Sequence, residues 1–277
     1  MTASEHDSQT PKRQARHLTD RIWPALIAAG IVVGLGVVVS LLISSPPSPR
    51  LPDFSTISDV SARKQAFFEF LAPVVESENE RVLAQRERLV SLAERIGAGE
   101  RPGWLDRRWL DRLAEEYEVP WDSDLPEMER LASLAMLERR VDAVPMPLAL
   151  VQAATESGWG RSRFALEGNN LFGHWCYEPG CGLVPARRNQ GAAHEVAAFD
   201  SISESVSRYL HNLNTHAAYA PLRAIRARLR QQDEPPTAMA LADGLVLYSE
   251  RRDEYVDEIK SVIRVNRPII ARVRETL

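Results

Sequence analysis

The first strong pattern along the chain is an uninterrupted apolar run, Ile22 to Ile43, IWPALIAAGIVVGLGVVVSLLI, with no charged residue in 22 positions. A helix of that length can cross a hydrocarbon core of about 30 Å, so the run predicts a single transmembrane span. A cleaved signal peptide is the rival, but its apolar stretch would be about half as long. Residues 1–21 are polar and predict a disordered tail. Lys12, Arg13, Arg16 and Arg21 precede the span, whereas Arg50 is the only charge soon after it. That bias puts residues 1–21 in the cytoplasm and residues 44–277 on the outer side of the membrane. Residues 44–52, SSPPSPRLP, read as a stiff Pro/Ser linker.

Beyond the linker the pattern becomes helical. Phe67, Leu71, Val74, Val82, Leu89, Leu92 and Ile96 recur at spacings of three, four or seven, with Gly97 and Gly99 as the stop. Pro73 either kinks that helix or marks its first turn. Trp104 to Tyr117 predicts a second helix, with Leu105, Trp109, Leu113 and Tyr117 on one face, and Met128 to Val141 a third. Residues 53–140 thus form a helical region without a catalytic cluster, suited to packing on a neighbouring domain or to contacting a protein partner. From about residue 141 to 277 the pattern is mixed. Pro147 suits the first turn of a helix ending at Glu156. Gly182-Leu183-Val184 and Glu195 to Phe199 read as short strands joined around Asn189-Gln190-Gly191. Ser201 or Asp200 then caps a helix, with Glu204 completing a capping box and Ile202, Val206, Tyr209, Leu210 and Leu213 as its buried stripe. Leu222 to Leu229, Thr237 to Leu247 and Arg251 to Val265 continue the helical pattern. The fold class is α+β, mostly helical with a small β-hairpin lobe.

A formal charge of −4 and a pI near 5.9 give no electrostatic case for nucleic-acid binding. The two cysteines, Cys176 and Cys181, bracket the turn Tyr177-Glu178-Pro179-Gly180. On the outer side of a membrane they suit a disulfide, while zinc is the weaker reading because no second pair exists. No P-loop, G-x-G-x-x-G or G-x-S-x-G occurs, and His194-Glu195 lacks the second histidine of a zinc-protease helix.

The densest chemistry lies in Val151 to Trp175, VQAATESGWGRSRFALEGNNLFGHW. Glu156 stands at the end of the helix, where the negative end of the dipole raises a carboxyl pKa. Gly158 and Gly160 stop the helix, and Trp159, Phe164, Phe172 and Trp175 supply flat apolar faces. A carboxylic acid kept protonated in aromatic surroundings is what cleavage of a glycosidic bond requires. A solvated glutamate at a helix end would share the same spacing.

The strings Ala153-Ala154-Thr155-Glu156-Ser157-Gly158-Trp159-Gly160 and Asn169-Asn170-Leu171-Phe172-Gly173 resemble the A-x-x-E-S-G-W-G and N-N-L-F-G signatures of the bacterial glucosaminidase family that cuts peptidoglycan. CGLVPARR at Cys181–Arg188, HEVAAFDS at His194–Ser201 and YLHNLNTHAAYAPLR at Tyr209–Arg223 are similar to its membrane-anchored Bax-type subgroup. The resemblance implies a lysozyme-like fold, peptidoglycan glycan strands as substrate, Glu156 as general acid and a site in the periplasm at the inner membrane. It implies a tyrosine beside the sugar, assigned to Tyr248, with Tyr255 as a further substrate-binding candidate; both tyrosines fit equally a core anchor with a hydrogen-bonded hydroxyl. Relatives carry a second acidic residue on the hairpin lobe. The strand GLVPARR has none, which leaves Glu195, then Glu178, or the 2-acetamido group of the substrate itself. Asn169 and Asn170 either shape their loop or bind sugar hydroxyls, and Phe172 and Trp175 either stack on sugars or pack inside. No metal or cofactor is required. A lytic transglycosylase, an amidase and a non-catalytic wall-binding module remain as alternatives.

Overall fold

The computed structural model describes residues 50–186, 191 and 193–277. The tail 1–21, the span expected at 22–43 and the linker up to residue 49 lie outside the described residues, as do Asn189 and Gln190. Among the described residues no helix is long and apolar enough to cross a membrane.

Helix α1, Val60–Gly97, is 38 residues long and is capped by Asp59, whose side chain accepts the Ala62 N–H. At 1.5 Å per residue it measures about 57 Å. Pro73 lies within it and does not end it. The amphipathic stripe serves two separate cores. Phe67, Phe68, Leu71, Val74 and Val75 join a large core with the helices that follow, whereas Val82, Leu89, Leu92 and Ile96 join a smaller one. The smaller core is closed by α2, Trp104–Glu116, and α3, Glu127–Arg140. On α2 the buried face is Leu110, Leu113, Ala114 and Tyr117, while Leu105 is exposed. The face expected through Leu105 is thus rotated, because the helix turns Leu110 inward.

The large core contains α4, Met146–Ser157; α6, Ile202–Thr215; α7, Ala220–Gln231; α8, Ala238–Ala242; and α9, Asp253–Glu275. A short α5, Arg163–Gly168, precedes the sheet. The expected stripe of α6 is buried throughout, and Ser201 caps it by accepting the Glu204 N–H. The Glu204 carboxylate answers by accepting the Asp200 N–H. The periodicity of α9 extends ten residues past Val265, through Pro268.

Three short antiparallel strands form the sheet in the order β1-β3-β2: β1 Trp175–Cys176, β2 Gly182–Leu183 and β3 Glu195–Ala197. The expected hairpin is β2 with β3, in register Gly182↔Ala197 and Leu183↔Val196. Strand β1 adds a second edge, with Trp175 opposite Val196 and Cys176 opposite Glu195. Only glycine fits at 182, since a Cβ there would strike the Val196 carbonyl.

A buried ionic knot ties α3, α6 and α7 together. The Arg226 guanidinium, 1% exposed, donates to the carbonyls of Arg139, Asp142 and Ala143 and to Asn214 Oδ1. Asp142 accepts from Arg230 at 2.9 Å. Burial pulls Arg226 down to about 10, so it stays charged at neutral pH.

Candidate active site

Helix α4 is apolar on nearly every side, and its only exposed residue is Glu156, one position from its end. Gly158 stops it in a left-handed conformation, φ 60°, with its N–H returning to the Ala154 carbonyl. Trp159 and Gly160 continue in the same region at φ 62° and 72°. A Cβ at Gly160 would lie 2.8 Å from the Phe54 ring, so the turn is pressed against the core. The Trp159 ring packs edge-on against Phe67 and tilted against Phe68, with Lys64 above it. It therefore anchors the turn that fixes Glu156.

Glu156 Oε1 accepts a hydrogen bond from the Tyr255 hydroxyl at 2.9 Å. The side chain is open to solvent on one side, yet the protein crowded around its carboxyl group raises its pKa. The Tyr255 bond and the Arg251 guanidinium oppose that rise, and Glu258 adds to it. Arg251 is itself paired with Glu258 at 2.6 Å. Oε2 looks toward Gly173, where an added Cβ would lie 3.9 Å away.

Behind the carboxyl group stands a cluster of tyrosines. Tyr255 is 1% exposed and stacks on Tyr248, ring centroids 5.3 Å apart and nearly parallel. Tyr248 donates its hydroxyl to the Phe172 carbonyl at 3.2 Å. It is thus Tyr255 that touches the carboxylate, with Tyr248 one ring behind. Gln152 donates to the Tyr255 oxygen at 3.0 Å and accepts from Tyr209 at 2.6 Å. Sequence reasoning passed over Gln152 and counted Tyr209 only as core. The available signal was a lone amide in an apolar run, one helical turn before Glu156.

The remaining candidates divide between structure and surface. Phe172 is 3% exposed and stacked on Tyr209 at 4.0 Å, so its ring belongs to the core. Asn170 is buried: its Nδ2 donates to the carbonyls of His174 and Ala197, and its Oδ1 accepts from the N–H groups of Phe172 and His174. Asn169 ends α5 in a left-handed conformation and donates to the Phe199 carbonyl. Both asparagines shape the loop that presents Gly173. Trp175 is 58% exposed and stacks one face on His194 at 4.3 Å. Glu195 is buried, and its two oxygens accept the N–H groups of Gly180 and Gly182 at 3.1 and 2.9 Å. Cys176 and Cys181 are joined in a disulfide across the same turn, so their sulfurs are not thiolate ligands. Glu178 is exposed in that turn.

A cavity of about 370 Å³, whose lining does not include Glu156, is bounded by Arg81 and Tyr117 of the helical region together with His174, Trp175, Arg208 and His211. Burial, with Arg208 nearby, pulls His174 down to about 4.

Residues 132–267 match the family model described as Mannosyl-glycoprotein endo-beta-N-acetylglucosaminidase. The chain is 34% identical over 228 residues to Protein bax of Escherichia coli (strain K12), covering 82% of this chain and 78% of that one. No solved structure matches. Motif, helical fold and relative agree, and the chain belongs to the glucosaminidase family, in its Bax-type subgroup.

Proposed function

We propose that the protein is a membrane-anchored glycoside hydrolase that cleaves β-1,4 bonds of peptidoglycan glycan strands at N-acetylglucosamine, with Glu156 as general acid. The observation that carries this reading is the Glu156 carboxyl group, raised in pKa by crowding and held on one oxygen by Tyr255. Such a group stays protonated to higher pH than an ordinary glutamate and can hand its proton to a leaving oxygen. Tyr255 then stabilises the carboxylate left behind, and Trp175 offers a free aromatic surface for a sugar.

Two-carboxylate glycosidases hold their acids roughly 5 to 9.5 Å apart. Glu195 is the candidate partner, but its occupation by two backbone N–H groups supports a role in shaping the lobe. The substrate's 2-acetamido group then serves as nucleophile. That same observation favours a second reading, a lytic transglycosylase, which needs one acid and closes an anhydro ring without water. The anchor is residues 22–43, holding the domain in the periplasm at the inner membrane. Trp104, Leu105 and Met128, all more than 60% exposed, support a protein partner on the helical region.

The test is to digest purified peptidoglycan and read the new chain ends by mass spectrometry. Reducing N-acetylglucosamine ends are expected. Anhydro-muramyl ends, lighter by one water, would assign the transglycosylase. Freed peptide stems would assign an amidase, and tight binding without any product would assign a wall-binding module.

A further inference from the structure

The hydrogen bonds behind Glu156 run in one direction, and donor chemistry fixes that direction. Tyr209, Gln152 and Tyr255 are 0%, 0% and 1% exposed, so none can turn to water. Tyr209 has one proton and gives it to Gln152 Oε1 at 2.6 Å. The Gln152 Nε2 can only donate, and it faces the Tyr255 oxygen at 3.0 Å. The Tyr255 oxygen is thereby an acceptor on that side, and its single proton points to Glu156 Oε1 at 2.9 Å. Turning the amide over would reverse the logic. Tyr255 would then donate to Gln152, Glu156 would lose its donor, and the buried Tyr209 proton would have no acceptor. A buried hydroxyl without an acceptor is costly, so the first arrangement holds.

We propose that Tyr209 and Gln152 are positioning residues that turn the Tyr255 proton onto Oε1 of Glu156, reserving Oε2, on the Gly173 side, for the proton delivered to the substrate. The proposal rests on the reading of Glu156 as general acid. In the step, the Oε2–H bond breaks as the proton passes to the glycosidic oxygen. The bond from that oxygen to the anomeric carbon breaks with both electrons leaving on oxygen, as the oxygen of the sugar's own 2-acetamido group bonds to that carbon. The carboxylate that remains already holds its Tyr255 bond, so its charge forms against a donor in place. The leaving oxygen is thereby placed over Gly173, where only hydrogen occupies the side-chain position facing Oε2. The other ionisable groups around Glu156 are Arg251 and Glu258, paired with each other, and Tyr219 and Tyr248. The substitutions below leave all of them unchanged.

The test compares full-length wild type with Tyr209→Phe, Gln152→Met and Tyr255→Phe. The Glu156 carboxyl carbon is followed by NMR against pH, its signal assigned by its loss in Glu156→Gln, and the pH profile of kcat is recorded beside it. In Tyr209→Phe the freed Gln152 oxygen captures the Tyr255 proton, and Glu156 loses a donor two residues away from the change. Its titration midpoint moves up, as in Tyr255→Phe, and the basic limb of kcat moves up with it. The value of kcat falls roughly two- to tenfold, the worth of one hydrogen bond. Gln152→Met leaves the Tyr255 proton no acceptor but Oε1 of Glu156, so the midpoint there stays at the wild-type value, which keeps the test decisive if Tyr209→Phe does not fold. A midpoint unchanged in folded Tyr209→Phe or Tyr255→Phe, or one that moves in folded Gln152→Met, overturns the relay, with or without a loss of rate. A midpoint that moves in a protein that cleaves no glycan upholds the relay and overturns the reading of function.

Discussion

Glu156 and Glu195 are glutamates of one small domain with opposite fates. Glu156 ends a buried helix, takes a single bond from a phenol, and keeps one oxygen open beside Gly173. Glu195 sits in a strand with both oxygens held by the N–H groups of the Gly180–Gly182 turn. Crowding with one donor gives a carboxyl group whose pKa is raised above the ordinary glutamate value, so it keeps its proton to higher pH. Two backbone donors give a carboxylate that holds a turn. The two differ in exposure, Glu195 being buried and Glu156 open to solvent on one side, and in the donors that each element brings to them.

The largest way to sharpen the contrast is to neutralise each in turn. Glu156→Gln should lower the rate of glycan cleavage by about 10²- to 10⁴-fold with the fold intact, the usual worth of a general acid. Glu195→Gln should leave the rate close to wild type and lower the melting temperature, read by calorimetry, since one of the two N–H groups loses its charged acceptor. Next in size is the Cys176–Cys181 bridge, which braces the same turn. Opening it by Cys181→Ser should cost about 2 kcal/mol in denaturant unfolding, from closure of so short a loop.

Tyr255→Phe comes third, at roughly tenfold in rate, from loss of a hydrogen bond to a charged group. The bond favours the charged form of Glu156, so its removal should move the basic limb of the pH–rate profile upward. The smallest effect is on stability. A raised folded pKa gives Glu156 a contribution present below the ordinary value of 4.5 and lost as pH rises through the folded value. Glu156→Gln should therefore melt slightly above wild type at neutral pH, by under about 1 kcal/mol because the side chain is open to water, and the gap should close toward pH 4.

Most of the helical architecture was legible because burial follows a 3.6-residue period. The stripe from Phe67 to Ile96 announced α1, although its division between two cores depends on what packs on each half. Strand β1 was missed because two residues, Trp175 and Cys176, show no alternation. Leu105 misled because an apolar residue in the first turn of α2 can face outward. Glu156 stood out through its helix-ending turn. The choice between Tyr248 and Tyr255 was harder. Tyr255 shares the buried face of α9 with Ile259 and Ile263, whereas Tyr248 lies in a turn with no period to place it. The role of Glu195 was invisible, since the donors that meet its two oxygens include the backbone N–H groups of Gly180 and Gly182, which no residue type announces.

The most direct measurement asks whether the need for Glu156 depends on the leaving group. Wild type and Glu156→Gln would be compared on a native glycan strand and on the same glycan linked to a dinitrophenol, which departs without a proton. The account predicts a large loss on the native bond and a rate near wild type on the activated one. An equal loss on both would contradict it and remove Glu156 from the role of acid.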